Sequence, residues 1–132
     1  MIQRIQTIWM FIAAAAILLT LKLPTLITGD AYQTFNATND FFLMVITSAV
    51  GTALLINIFL FKHRPVQIRI CIIAMLAECL IIFLYTYHLK DFSKGTFNIW
   101  ASLHVIALAT LILAARDIYK DEKLVKDSNR LR

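Results

Sequence analysis

Residues 72–82, with the sequence IIAMLAECLII, place a single carboxylate, Glu78, among side chains that partition out of water. Apolar residues continue on both sides, so a helix of about 20 residues, long enough to cross a bilayer, can form around Glu78. A carboxylate at that depth costs at least ~2.5 kcal/mol and normally faces other helices rather than lipid. The stretch therefore predicts a membrane-spanning helix packed against neighbours that accommodate Glu78.

The composition of the whole chain is typical of a membrane protein. Of the 132 residues, 60% are hydrophobic and 16% are charged, and the mean hydropathy is +0.74. A water-soluble domain of this size has too much surface for its volume to bury so many apolar side chains. The net charge of +5 sits at the ends of apolar runs rather than in a basic stripe, so we expect no nucleic-acid partner.

Four apolar runs predict four transmembrane helices, near residues 5–23, 41–61, 66–89 and 97–115, within a single integral membrane domain, 1–132. Pro24 follows the first run, Asn39 or Asp40 can cap the second, and Pro65 suits the first turn of the third. The tight turn at 62–65 predicts an antiparallel pair of helices. The expected fold is an all-α membrane protein, an up-down antiparallel four-helix bundle.

Lysine and arginine predict the orientation, because they are enriched in cytoplasmic loops. With both termini in the cytoplasm, ten of these residues lie inside and three outside. The inner set is Arg4, Lys62, Arg64, Arg69, Arg116, Lys120, Lys123, Lys126, Arg130 and Arg132, and the outer set is Lys22, Lys90 and Lys94. We expect a multi-pass protein of a bacterial inner membrane.

The charged C-terminal tail, residues 116–132, is predicted to extend the fourth helix into the cytoplasm. Glu122 and Lys126 have the spacing of a helical ion pair, and Leu124 and Leu131 recur seven residues apart. The resulting apolar edge suits a membrane surface or a partner helix, and the alternative is a solvated helical stub. Six cations of the tail are candidate contacts for a partner or for lipid head groups: Arg116, Lys120, Lys123, Lys126, Arg130 and Arg132.

Three segments of the chain resemble a known family. They are MIQRIQT at 1–7, QIRIC at 67–71 and DEKLVKDSNRLR at 121–132. They are similar to a domain-of-unknown-function family of small four-helix inner-membrane proteins of Bacteroidota. The resemblance covers the whole chain and implies a bacterial inner-membrane location. It lends no catalytic residues.

Glu78 and His104 are the candidate intramembrane polar pair. Each lies about twelve residues from the predicted inner end of its helix, and the two helices are consecutive, so the side chains can meet. Three roles are open: a structural pair that fixes helix register, a proton or ion relay, or contact between Glu78 and a partner subunit. A relay needs further polar groups leading towards both surfaces, and here they are sparse.

The remaining polar residues have packing explanations. Asn57 lies one turn from the inner surface, where Arg69 or water can satisfy its amide. A small-residue face on the second helix permits close helix packing; it comprises Ser48, Ala49, Gly51, Thr52 and Ala53. Cys71 and Cys79 lie too far apart on one helix for a disulfide and are expected to be apolar fillers.

Nothing in the sequence has the pattern of a catalytic site. A nucleophile–base set, a phosphate-binding loop and a metal-ligand spacing are all missing, so we expect no enzyme, cofactor or metal. One functional hypothesis is an accessory or structural subunit bound to a larger membrane complex, with lipids and other integral membrane subunits as partners. The other is a small transporter or proton-conducting unit that uses Glu78 and His104, as a homo-oligomer.

Overall fold

The computed structural model describes residues 2–28, 34–91 and 95–132. Four helices dominate this part of the chain: α1 (Ile2–Leu19), α2 (Phe41–Phe59), α3 (Arg64–Asp91) and α4 (Ser102–Arg130). Each has its main contacts with two neighbours, since α1 and α3 both pack against α2 and α4. The four helices therefore form a closed ring around a shared core.

Three helices, α2, α3 and α4, are long and apolar enough to cross a membrane. The apolar part of α1, Ile5–Leu19, is shorter than the predicted span 5–23, because the chain leaves the helix for a turn after Leu19. The other differences lie in helix ends. In particular, α4 runs on to Arg130, so the tail extends the fourth helix as the sequence indicates.

Local signals explain where α2 and α3 begin. Asp40 caps α2, because its Oδ1 accepts a hydrogen bond of 2.8 Å from the backbone N–H of Phe42. Pro65 lies in the first turn of α3, where a missing N–H leaves no helical bond unmade. Both features agree with the predicted caps.

The core of the bundle follows a repeat of alternating three and four residues in every helix. Such a repeat averages 3.5 residues and is the pattern by which helices pack side chains between one another in bundles. The buried positions of this stripe are Gln6, Met10, Ala13 and Ile17 in α1, with Thr20 in the turn after it; Leu43, Thr47, Val50, Leu54 and Asn57 in α2; Gln67, Cys71, Ala74, Glu78, Ile81 and Tyr85 in α3; and His104, Ala107, Leu111, Ala114, Ile118 and Asp121 in α4. Polar residues thus occupy core positions of all four helices.

A small antiparallel sheet closes one end of the bundle. The middle strand β1 (Leu26–Thr28) pairs with β2 (Thr34–Phe35) and with β3 (Gly95–Phe97). Pairing of β3 removes Phe97 from the predicted fourth span, 97–115, and α4 begins only at Ser102, after a short 3₁₀ turn. The sheet therefore ties the α1–α2 connection to the α3–α4 connection.

Asn98 joins the same two connections through its side chain and backbone. Its Nδ2 donates to the carbonyl of Pro24 at 3.1 Å, and its backbone N–H donates to the carbonyl of Thr25 at 2.9 Å. Its Oδ1 accepts from the N–H of Ile99 at 2.7 Å. One residue thus fixes the sheet and starts the turn that leads into α4.

Gly51 of α2 packs against the Leu18 side chain of α1. A Cβ atom at this position would lie 2.5 Å from Cδ2 and 2.7 Å from Cγ of Leu18. We expect Gly51→Ala to lower the free energy of unfolding by about 1–3 kcal/mol, since overpacking forces the helices apart. The measurement is the midpoint of unfolding by sodium dodecyl sulfate in mixed micelles. Adding Leu18→Ala should recover most of the loss, and simple addition of the two single losses would contradict the contact.

Candidate functional site

Glu78 of α3 and His104 of α4 meet in the core of the bundle. Nδ1 of His104 lies 2.5 Å from Oε1 of Glu78, and the two side chains are 4% and 0% exposed. Both residues belong to the core stripes of their helices, so packing of α3 against α4 brings them together. The structure thus places the two candidate site residues in direct contact.

The protonation state of this pair determines whether Nε2 of His104, the ring nitrogen that does not contact Glu78, donates or accepts a hydrogen bond. A net charge is costly in a buried site, so the neutral combinations are favoured. These are a carboxylate with an imidazolium and a carboxylic acid with a neutral imidazole that accepts at Nδ1. In both of them Nε2 of His104 carries a proton. The pair therefore presents a hydrogen-bond donor at Nε2.

Two atoms of the pair lack partners. Within the part of the chain that the structure describes, neither Oε2 of Glu78 nor Nε2 of His104 has a hydrogen-bond partner, although both are buried. Such atoms are uncommon, because an unsatisfied buried polar group costs about 1–3 kcal/mol. The pair consequently has unused hydrogen-bonding capacity on both of its outer sides.

Tyr85 and Thr25 continue the polar region from His104 towards the sheet. The Tyr85 and His104 rings have centroids 5.2 Å apart, and Thr25 lies beside the Tyr85 hydroxyl. Tyr85 and Thr25 are each 1% exposed, so both hydroxyls are buried. The Tyr85 ring thus packs against His104.

A pocket of about 280 Å³ lies next to these residues, between α3, α4 and the strands. Its walls are almost entirely apolar, and His104, Tyr85, Thr25 and Ser102 are among the residues that line it. Val105 at the rim is 65% exposed and Phe97 is 47% exposed. The pocket is therefore open to the outside, between the start of α4 and the sheet.

A second polar cluster joins α2 to α3 near their connection. Nδ2 of Asn57 donates to the carbonyl of Gln67 at 3.2 Å, and Nε2 of Gln67 donates to the carbonyl of Asn57 at 3.2 Å. The same Nδ2 lies 3.4 Å from Sγ of Cys71 and 3.6 Å from Sδ of Met10. Gln67 thus provides the acceptor for the Asn57 amide nitrogen, whereas Oδ1 of Asn57 has no hydrogen-bond partner among the described residues. The predicted partner Arg69 is exposed.

A third cluster connects the beginning of α1 to α4. Nε2 of Gln6 donates to Oδ2 of Asp121 at 2.7 Å and to the carbonyl of Asp117 at 3.0 Å. The guanidinium of Arg64 donates to the carbonyl of Asp121 at 3.0 Å. Asp121 is 6% exposed, so this cluster is part of the core, and it anchors α4 where the tail begins.

Apolar layers separate the Glu78–His104 pair from these two clusters. On α3, Ala74 and Cys71 lie between Glu78 and Gln67; on α4, Ala107 and Leu111 follow His104. The hydroxyl of Thr110 donates within its own helix, to Ile106 at 2.8 Å and Ala107 at 3.0 Å. The described side chains therefore form no continuous polar path from Glu78 to the Asn57 cluster.

The six tail cations all lie on the outside of α4. Arg116, Lys120, Lys123, Lys126, Arg130 and Arg132 are exposed. Nζ of Lys126 lies 2.7 Å from Oε1 of Glu122, which confirms the predicted ion pair. The structure leaves these cations available to a partner or to lipid head groups.

The other titratable residues do not assemble into a metal site. The described residues contain no group of three or more histidine, cysteine or acidic side chains placed to hold an ion. His88 pairs with Asp40, whose Oδ2 lies 2.8 Å from Nε2, near the sheet. The thiols of Cys71 and Cys79 are free, with Cys71 in the core beside Asn57.

Sequence reasoning missed Gln6, Gln67 and Asp121 as core residues. The signal that finds them is the 3.5-residue repeat, which runs from Met10 back to Gln6, from Cys71 back to Gln67 and from Ile118 on to Asp121. Their polar side chains and their positions near helix ends make them resemble surface residues when each is taken alone.

One comparison with known proteins identifies the chain. The model of the family described as "Domain of unknown function (DUF4293)" matches residues 2–131. The protein therefore belongs to that family, in agreement with the resemblance of its two ends. No curated protein and no solved structure matches the chain.

Proposed function

We propose that this member of the DUF4293 family is an accessory subunit that binds a larger integral complex of a bacterial inner membrane. In this proposal four helices span the bilayer in up-down antiparallel order, with both termini in the cytoplasm. The partners are lipids and other integral membrane subunits. The Glu78–His104 pair fixes the packing of α3 against α4 within that scaffold.

The observation that carries the proposal is the end of α4, which projects beyond the rest of the bundle. With 29 residues, α4 is about 43 Å long, whereas the hydrocarbon core of a bilayer is about 30 Å thick. From Lys123 onwards every residue is exposed, including Leu124 at 52% and Leu131 at 91%. A helical tail whose leucines and cations are exposed in this way is suited to bind a partner.

Membrane insertion is supported by the apolar outer surface of the bundle. Large side chains there are widely exposed, for example Phe41 and Phe59 at 78% and Leu76 at 66%. A contiguous apolar surface of this kind marks a membrane or protein contact. Because α1 is packed between α2 and α4, insertion of the three long helices carries α1 into the bilayer with them.

The orientation predicts the result of cysteine labelling. In a Cys79→Ala background, in which the remaining native Cys71 is buried, a cysteine is introduced at position 33 or 128 and treated with a membrane-impermeant maleimide from the periplasmic side. Position 33 should react and position 128 should react only after the inner membrane is opened, because the lysine and arginine bias places the tail inside. Labelling of position 128 from the periplasm would contradict the orientation.

The competing function is a small transporter or proton-conducting unit. It is favoured by the unpartnered Oε2 of Glu78 and Nε2 of His104, which a proton relay would use. The apolar layers between Glu78 and the Asn57 cluster count against it. We therefore keep the accessory role as the proposal.

Purification from native membranes in a mild detergent tests the accessory role. We expect the chain, of 15.1 kDa, to elute with at least one larger integral protein at a fixed ratio. The double variant Leu124→Asp with Leu131→Asp should lose that protein, while the matched variant Ser128→Asp should retain it. Elution of the wild type alone, or as a homo-oligomer, would favour the transporter.

A further inference from the structure

We propose that the pocket beside His104 binds a membrane-soluble ring compound that carries a carbonyl group, the chemistry of a quinone. The inference is independent of which complex the protein joins. It rests on three properties of the pocket: a hydrogen-bond donor without a partner, apolar walls of limited volume, and an opening to the outside.

The donor is Nε2 of His104. Nδ1 is occupied by Glu78 at 2.5 Å, so Nε2 is the only nitrogen of this ring left for a ligand. His104 is 3% exposed, and Nε2 has no hydrogen-bond partner within the described ranges. Both neutral states of the pair put a proton on Nε2, so the complementary ligand atom is an acceptor, such as a carbonyl oxygen.

The walls restrict the rest of the ligand. A dry apolar cavity of about 150 Å³ accommodates benzene, so about 280 Å³ corresponds to a ring system of roughly two fused rings. Ile82, Val105 and Ala101 supply apolar contacts, and the Tyr85 ring offers an aromatic face. A flat ring with one carbonyl towards His104 matches this combination of volume and chemistry.

The route of entry fits a ligand dissolved in the membrane. The exposed lining residues Val105 and Phe97 are apolar. Val105 lies on the outer face of α4, where lipid would surround the bundle, and Phe97 lies in the adjoining strand β3. A polar metabolite would have to cross this rim, whereas a quinone ring can enter from the hydrocarbon phase. A chain attached to the ring could remain outside among the lipids.

The test uses the full-length protein in detergent and three probes at equal mole fraction in the micelles. They are 2,3-dimethyl-1,4-naphthoquinone, its hydrocarbon counterpart 2,3-dimethylnaphthalene, and ethyl decanoate as a linear ester. The substituted quinone is chosen because it lacks the ring position at which Cys79 could add. We expect the quinone to raise the unfolding temperature and to bind about three- to tenfold more tightly than the hydrocarbon, the contribution of one hydrogen bond. The ester should give no shift.

Variants locate the binding. Ala101→Leu narrows the pocket without touching Glu78 or His104 and should abolish the quinone shift, while Ala109→Leu on the exposed side of α4 should preserve it. His104→Phe should remove the preference for the quinone over the hydrocarbon. Equal shifts with all three probes, no shift with any, or a quinone shift that survives Ala101→Leu would each overturn the proposal. If His104→Phe does not fold, the result with Ala101→Leu still tests whether the quinone binds in this pocket.

Discussion

Glu78→Leu is expected to lower the free energy of unfolding by about 1–3 kcal/mol, because it strands Nδ1 of His104 in the core. The imidazole is 3% exposed and would have no other described side chain at hydrogen-bond distance. Glu78→Gln should cost much less, since an amide offers both a donor and an acceptor to the same nitrogen. We therefore expect Glu78→Leu to be clearly less stable than Glu78→Gln.

The measurement is the unfolding midpoint in dodecyl sulfate titrations of the purified variants. Glu122→Leu serves as the matched control, because Glu122 pairs with Lys126 at the outside of α4 and an exposed ion pair contributes little. A Gln variant as unstable as the Leu variant would show that the carboxyl group itself is needed for folding. Equal stability of all three variants would exclude a structural role for the contact.

Asn57→Asp is expected to have the larger effect, about 3–5 kcal/mol, although it changes a single amide nitrogen to oxygen. Nδ2 of Asn57 is the donor to the Gln67 carbonyl at 3.2 Å, and Asn57 is fully buried. A carboxylate there places an oxygen against that carbonyl and leaves a charge in the core without a cation. Lowering the pH from 7 to 5 should restore part of the stability, because a protonated carboxyl regains a donor.

The control for this prediction is Asn129→Asp, the same change on the exposed tail. It should alter the unfolding midpoint by less than about 0.5 kcal/mol, as is usual for surface substitutions. The two variants are compared in the same detergent at pH 7 and pH 5. A loss at Asn57 no greater than that at Asn129, or one independent of pH, would contradict the hydrogen-bonded cluster.

The helices and the central contact were accessible from the sequence for simple physical reasons. Long apolar runs and the caps at Asp40 and Pro65 depend on local chemistry, so the starts of α2 and α3 could be predicted closely. Glu78 and His104 could be paired because consecutive helices joined by a short connection place equal depths side by side. A carboxylate buried at that depth has few other polar side chains to which it can hydrogen-bond.

Features that depend on contacts between distant segments could not be predicted. The pairing of β1 with β3 joins residues about 70 positions apart, and nothing local in Gly95–Phe97 distinguishes a strand from the start of a helix. Gln67, rather than Arg69, accepts the hydrogen bond of the Asn57 amide nitrogen, because α3 turns that face inward. Asp121 looks like an exposed charge in the sequence, because its burial depends on the packing of α1, which carries Gln6, against α4.

The measurement that most directly tests the account is the behaviour of Glu78→Gln in native membranes. The chromosomal gene is replaced by this variant, and abundance, co-purifying proteins and growth are measured under a condition in which deletion slows growth. If Glu78 holds α3 to α4 within an accessory subunit, the variant should match the wild type in all three, because the amide keeps the contact with His104. Normal abundance and normal assembly together with growth as slow as that of the deletion strain would contradict the account, since an amide can hold the contact but cannot carry a proton.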